Sequence, residues 1–577
     1  MTLTRLILLL LLSSTSCHLM AGILTINMDG VNTEQKLNIR SFLSLQSLDG
    51  QTITNPSRLR YLHNLADEEI KTALQPLGFY QPTIQASLTK KGEDWLALYR
   101  IQPGKRLPIS QLDIQLIGAA KDDIAFKQLL AKTTLRKGQP LIHSQYEQLK
   151  KQLSSLAVER GYYQAELTQH RVEVNLADYN AAITLHMDSG PRFSIGDITF
   201  ALSPIDADFI KSYASFNTGD PIQNSQLIDL QSALIDSDYF QRVEVRPLWN
   251  QMSDTQVPIF VDLDANKKTK YHAGFGYGTD TGARTKLGVN KRWINRRGHQ
   301  FNTQLLASEI ITNFSAEYSI PGENPREDRY AVQLSLLDED SDSINTRSHS
   351  IGVSKQQQRG RWQQVLALNY QQEESTFSGD TETSHFLIPQ VNYNTVSTKD
   401  RLQVKNGYSF SSQLRGASQA LISTEDFVQT RISGKGIYSI TNKFRILARA
   451  EVGTTWVSDF DALPASLRFF TGGDNSVRGY DYKSLGPRDD SDDVIGGRNL
   501  LVGSVEVDYR LFQNWGVAAF IDSGNAFNDT DLSLYTGIGV GLRWFSPVGP
   551  VRFDLAVPQD DDDDNSIHLH FNLGADL

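Results

Sequence analysis

The chain has 577 residues, more than one ordinary domain, and a formal net charge of −10, which speaks against nucleic-acid binding by bulk electrostatics. Its mean hydropathy is −0.35, and no apolar run reaches the ~18 residues of a membrane helix, so a helical membrane protein is excluded. A transmembrane β-barrel is not excluded, because its strands turn half of their side chains into a polar lumen.

At the N-terminus Arg5 precedes the apolar run 6–12 and the small polar residues Ser13, Ser14, Thr15 and Ser16. This is the pattern of an export signal, with cleavage expected near Ala21 and the signal spanning 1–21. The single cysteine, Cys17, falls inside it, and Ser14 stands where a lipidation signal wants an apolar residue. The mature chain is therefore expected to lack cysteine, which suits an oxidising envelope compartment.

Residues 22–267 alternate helical and strand patterns and contain a repeat of about 80 residues. Gly138-Gln139-Pro140 and Gly219-Asp220-Pro221 each open a helix-like stretch, with Ser144 and Asn224 as expected caps. Each helix ends at an aromatic cluster: Gly78-Phe79-Tyr80, Gly161-Tyr162-Tyr163 and Asp238-Tyr239-Phe240. Aromatics in small domains serve mostly as core staples between helix and sheet. The reading is three β-α-α-β-β modules, at 22–104, 105–191 and 192–267. Their open sheet edges are where an extended client could add a strand.

From about residue 268 to 577 the pattern changes to period two. Ile446, Ala448, Ala450, Val452, Thr454 and Trp456 face one way, against Leu447, Arg449, Glu451, Gly453 and Thr455. Val505, Val507 and Tyr509 oppose Glu506, Asp508 and Arg510, and Val540, Leu542 and Trp544 oppose Gly541 and Arg543. Leu569 and Phe571 oppose His568, His570 and Asn572 near the end. Charges recur on the inner face in strand after strand, and strands of about 9 to 11 residues fit a transmembrane barrel of about 16 antiparallel strands.

The loop between two late strands carries Val477-Arg478-Gly479-Tyr480, an arginine held beside glycine in a polar segment. Glu506 and Asp522 lie on the inner face of the next two strands, with Phe520 inward beside Asp522 and Gly524 following. A bidentate arginine–carboxylate pair there would fix the loop, whereas separate solvated charges would merely line a channel; spacing alone leaves both open. Two facing acids also occur in glycosidases, but no aromatic sugar platform accompanies them. There is no P-loop, zinc spacing or nucleophile elbow, so neither an enzyme nor a metal or cofactor protein is expected. The acidic run 560–564 reads as a solvated turn.

Together, Val477-Arg478-Gly479-Tyr480, Gly503-Ser504-Val505-Glu506, Phe520-x-Asp522-x-Gly524 and the glycines 537, 539 and 541 resemble the BamA superfamily of outer-membrane assembly barrels. Three N-terminal modules resemble POTRA domains in the number found in its TamA branch, and Tyr271 with Gly274, Gly276 and Gly278 looks like the first barrel strand. The resemblance implies α+β periplasmic POTRA modules followed by an all-β barrel in the outer membrane of a Gram-negative bacterium. It implies that Arg478 engages Glu506 and Asp522, with Phe520 nearby. It further implies a lateral gate in which 271–278 pairs with 567–574, including His570, Phe571 and Gly574. The implied role is assembly of autotransporters and other β-barrel proteins by seam opening. Implied partners are a TamB-like inner-membrane-anchored protein, unfolded outer-membrane clients and outer-membrane lipid, with no nucleic acid. A two-partner secretion pore is the competing reading; it would carry two modules and a plug helix. The main assembly barrel would carry about five modules, and a passive porin none.

Overall fold

The computed structural model describes residues 22–341, 344–377, 379–398, 404–528, 532–546, 549–560 and 566–573. The expected signal with Cys17, most of the acidic run (561–564) and Gly574 lie outside the described residues. The chain forms two compact units: one holds the first two modules with parts of the third, the other the barrel with segments 199–215, 229–246 and 260–268 of the third.

The module pattern is β-α-α-β-β three times. In the first, Leu24–Asp29 runs parallel to Asp94–Gln102, which pairs antiparallel with Thr83–Lys91. Leu24, Ile26 and Met28 alternate inward and meet Ala97, Tyr99 and Ile101 beneath the helices Thr33–Phe42 and Pro56–Leu74. Asn32 and Gln35 close a capping box on one helix, and Asn55 caps the other just before its first-turn proline. The second module repeats this with Ile109–Ile117, Asn180–Asp188 and Glu166–Asn175, and the third sheet has the order Ser194–Phe200, Gln256–Ala265, Phe240–Pro247.

The expected caps are not used. The helix His143–Glu159 is preceded by Ile142 without a side-chain cap, and Asn224 is already the first residue of Asn224–Asp236. Instead, His143 Nε2 meets Tyr80 Oη at 2.6 Å, so the start of this helix receives the preceding module.

The aromatic clusters are staples only in part; each also reaches the next structural element. Phe79 and Tyr162 enter their own module's core. Tyr80 reaches His143, while Tyr163 packs edge-on against Trp249 and Phe193 with centroids 4.5 and 6.1 Å away. In the third copy the Tyr239 hydroxyl donates to the Gly298 carbonyl at 2.5 Å, in the first turn at the barrel's entry end. Asp206–Arg296 (2.6 Å) and Asp238–Arg292 (2.7 Å) flank that contact.

Sixteen antiparallel strands among the described residues form one sheet, each paired with the next from Thr269–Gly278 to His568–Leu573. Outward positions are apolar: Val505, Tyr509, Ile538, Val540, Phe553, Leu555 and Leu569 are exposed, whereas Glu506, Asp508, Asp522, Arg543 and Asp554 on the inner face are buried. The expected strand length fails in the middle of the barrel, where Trp362–Phe377 has 16 residues and Asp380–Thr398 has 19. At about 3.3 Å per residue such strands outrun a hydrocarbon core of ~30 Å, so they continue as a polar sheet beyond it.

Candidate functional site

The loop 458–498 joins Phe444–Val457 to Asn499–Arg510 and folds back among inward-facing side chains. It has structure of its own. Thr471 bridges Leu485, and Phe469 bridges Gly497. Arg468 is its internal brace: it donates to the carbonyls of Leu463, Ile495 and Asp461 while lying between the rings of Phe377 and Phe460, 4.2 and 4.7 Å from its guanidinium carbon. Lys483 adds a 2.5 Å ion pair to Glu339.

At the tip, Val477 and Tyr480 pack with Leu485 and Tyr535, and Gly479 takes φ 99°, a value that glycine adopts without strain. This turn aims Arg478 inward, where its side chain is 7% exposed. Nε and Nη2 form a fork on Asp522 at 2.6 and 3.0 Å, and Nη1 reaches Glu506 at 2.9 Å and Asp554 at 2.8 Å. The Phe520 ring lies 3.4 Å beneath the guanidinium carbon. Burial opposes the charge on Arg478, but these carboxylates overcome it and raise its pKa above the ordinary arginine value.

Arg543, fully buried, shares the same acids: it donates to Glu506 at 2.8 Å and to Asp554 at 2.5 Å, and lies 3.5 Å from Asp508. Asp508 in turn holds Arg445 at 2.7 Å, and Arg449 donates to the loop carbonyls of Asn475 and Ser476. Arg445, Arg449, Arg478 and Arg543, with Arg552 beside them, thus face Glu506, Asp508, Asp522 and Asp554. A hydrogen-bonded network of opposed charges tolerates burial; an unpaired member would not.

Room for the tip comes from the strand Tyr535–Ser546. A Cβ at Gly537 would fall 1.8 Å from the Arg478 carbonyl oxygen, one at Gly539 would meet Phe520 at 2.3 Å, and one at Gly541 would meet Asp554 at 1.9 Å. Gly524 acts elsewhere. A Cβ there would strike Leu501 O at 2.7 Å in the neighbouring strand, so this glycine serves strand packing rather than the loop.

The tip also reaches the seam. Gly479 N–H donates to His570 Nε2 at 2.9 Å, which leaves the proton on Nδ1 to be donated to Asp474 Oδ1 at 2.7 Å. Thr279 donates to the same Asp474 oxygen at 2.9 Å and accepts from Phe571 N–H at 3.1 Å, while Asp474 N–H donates to Asp280 at 2.8 Å. Loop, first hairpin and last strand therefore meet in one clasp. Asp280 lies in the turn outside the strands, where burial, followed by the charge of Asp474, pushes its carboxyl up to about 7. Asp280, Asp474 and His570 offer ligand atoms within 4.8 Å of one another, but the protonated Nδ1 closes the site to a metal while the Gly479 bond stands.

Between first and last strands the expected pairing of 271–278 with 567–574 is not a backbone ladder among the described residues. They touch through Tyr277 and Phe571, centroids 6.4 Å apart, through Thr279, and through Arg284 to Leu573 O at 3.5 Å. Gly274 is exposed on this edge, a Cβ on Gly276 would meet Arg284 at 2.8 Å, and one on Gly278 would sit 3.9 Å from Phe571 O. Spacing left the partners of Arg478 open and the family resemblance supplied Glu506 and Asp522; Asp554, Arg543 as a partner, and the Thr279–Asp280–Asp474 side of the clasp were missed. Their inward parity and the sequence Thr279-Asp280 in a turn were the only available signals.

Residues 269–576 match the Omp85 superfamily domain. The chain belongs to the Omp85 superfamily. Residues 25–103 match the first POTRA domain of TamA type, so this Omp85 chain is TamA-like in its first module. An outer membrane protein assembly factor BamA of Nitratidesulfovibrio vulgaris is 21% identical over 377 residues, covering 62% of this chain and 48% of that protein. One from Neorickettsia risticii is 26% identical over 144 residues, covering 22% of this chain and 19% of that one. The chain thus spans about half, or less, of the length of these relatives. The crystal structure of BamA from Haemophilus ducreyi lacking POTRA domains 1–3 superposes with a TM-score of 0.67 at 18% identity, covering 80% of this chain and 99% of that one; the likeness is one of fold. As an Omp85 protein it places its barrel in the outer membrane and its POTRA modules in the periplasm.

Proposed function

We propose that this Omp85 protein is the outer-membrane component of a translocation and assembly module. In this reading it inserts autotransporters and other β-barrel proteins into the outer membrane by opening its seam. The observation that carries the proposal is the first strand, Thr269–Gly278, which presents an edge without a backbone partner among the described residues. An unpaired edge is unfavourable in lipid and is a template for an incoming strand. Tyr271 and Phe275 project from this strand at 76% and 81% exposure, as lipid-facing side chains would. The loop clasp bridges the same seam, so seating of the loop and closure of the gate are one event. Clients arrive along the POTRA edges or from a TamB-like partner anchored in the inner membrane, and client folding supplies the driving force.

The test is site-specific crosslinking in native membranes, with single cysteines at Gly274 and Leu569 in a background without Cys17 and an arrested autotransporter client. Client crosslinks at both positions support strand exchange at the seam. Crosslinks confined to lumen positions such as Glu451 would sink this reading in favour of a secretion pore.

A further inference from the structure

The charged inner wall continues from the loop lock, through Asp508 and Arg445, into a second, cationic region. At the entry end of the lumen lies a cavity of about 430 Å³, within the range of small-ligand sites. Its cations are Lys405, Lys443, Arg445 and Arg510, and its only acid among the described lining residues is Asp508. All four cations line the cavity, Arg445 buried and Lys405 and Lys443 exposed. Among the described residues no carboxylate pairs with Lys405, Lys443 or Arg510, in a chain whose net charge is −10. A solvated fringe of lysines alone would mean little. Here the arginines are placed: the guanidinium carbons of Arg445 and Arg510 lie 5.2 and 4.2 Å from the centroid of the Phe545 ring, and Arg445 Nη1 donates to Val404 O at 2.9 Å. The apolar part of the lining is Val404, Ile440, Phe444 and Phe545, with Val404 buried against Ile437 and Leu447.

We propose that this cavity binds a phosphate-bearing anion entering from the periplasmic side. Lys405, Lys443 and Arg510 supply the charge, and Arg445 positions it. Arg445 already donates from Nε to Asp508 and from Nη1 to Val404, so the ligand's charge falls to the Arg510 guanidinium and two lysine ammonium groups, several donors that together match the several oxygens of a phosphate. The apolar lining at Val404, Ile440, Phe444 and Phe545 accommodates the ester side of a phospholipid headgroup; free phosphate would need only the cations. The cavity stands one ion pair from the loop lock, because Asp508 lies between Arg445 and Arg543 and Arg543 shares Glu506 with Arg478. An anion drawing on Arg445 therefore alters the field at the acids that seat the loop.

The experiment is calorimetric titration of the full chain in phosphatidylcholine nanodiscs, with inorganic phosphate in one arm and monomeric dihexanoyl phosphatidylglycerol in the other. The expected result is saturable binding at one site that weakens with salt. The Lys443→Gln/Arg510→Gln double variant should bind at least tenfold more weakly. Preference for the lipid identifies a headgroup site, and preference for phosphate identifies a free-anion site. Lys405→Gln alters an exposed side chain and serves as the second variant should the double variant fail to fold; it should weaken binding about threefold or more. No saturable binding of either probe, or binding unchanged in a folded variant, overturns the proposal.

Discussion

Gly479 donates its backbone N–H to His570 Nε2 at 2.9 Å, so the turn that aims Arg478 into the barrel is also tied to the last strand. One side of that turn is held by carboxylates of the wall, the other by the rim of the seam. Loss of either hold is felt by the other through only two residues of chain.

Arg478→Ala should unseat the loop without unfolding the barrel. It strips buried Asp522 of its guanidinium fork, while Glu506 and Asp554 keep Arg543, a loss of about 3–5 kcal/mol by analogy with other broken buried pairs. Limited proteolysis within 458–498 should become at least tenfold faster while heat-modifiable migration of the barrel is retained. Combining Arg478→Ala with Asp522→Ala should harm less than the sum of the two, because they share one interaction.

Gly537→Ala should mimic that phenotype with no charge removed, since its Cβ would sit 1.8 Å from Arg478 O. Gly436→Ala, which meets nothing within 4 Å, is the matched control and should leave proteolysis unchanged. Equal behaviour of the two variants would refute the steric account.

The clasp should loosen with rising pH. Asp280 has an ordinary value of 3.8 and is pushed up to about 7 in the clasp, so between those limits the clasped state binds more protons than the open one. Its stabilising contribution is complete below about 4 and is lost as pH rises through about 7. Spin-label distances between the loop and the last strand should lengthen across that range. In Asp280→Asn the dependence should flatten; Asp474 and His570, which face Asp280, are common to both proteins, so the difference isolates Asp280.

Hydrogen exchange should mark the seam. Backbone amides of Thr269–Gly278 that point away from Gly282–Lys291 have no ladder partner among the described residues. They should exchange at least tenfold faster than amides of Trp515–Phe527, which is paired on both sides. Uniform protection would mean a closed ladder.

Much of this was legible in the sequence for a physical reason: alternation with period two states which face a side chain occupies. By itself it assigns Glu506, Asp508, Asp522 and Arg543 to the lumen. Alternation does not state register, however, and register places Asp554 opposite Gly541 and brings it to Arg478 and Arg543. The clasp was beyond reach because its members are far apart in sequence: Asp474 lies 194 residues from Asp280 and 96 from His570. Ser144 and Asn224 misled because capping preference is local, whereas the start of the His143–Glu159 helix is set by contact with the previous module.

The bare inner face at Gly537, Gly539 and Gly541 carries a further consequence. Along that stretch the strand has no side chains of its own to fill the lumen, and the loop tip, Phe520 and Asp554 stand in for them. The loop is thus a part of the barrel's interior lining that comes from outside the wall. Without it, a trough of naked main chain flanked by acids would line that side of the lumen.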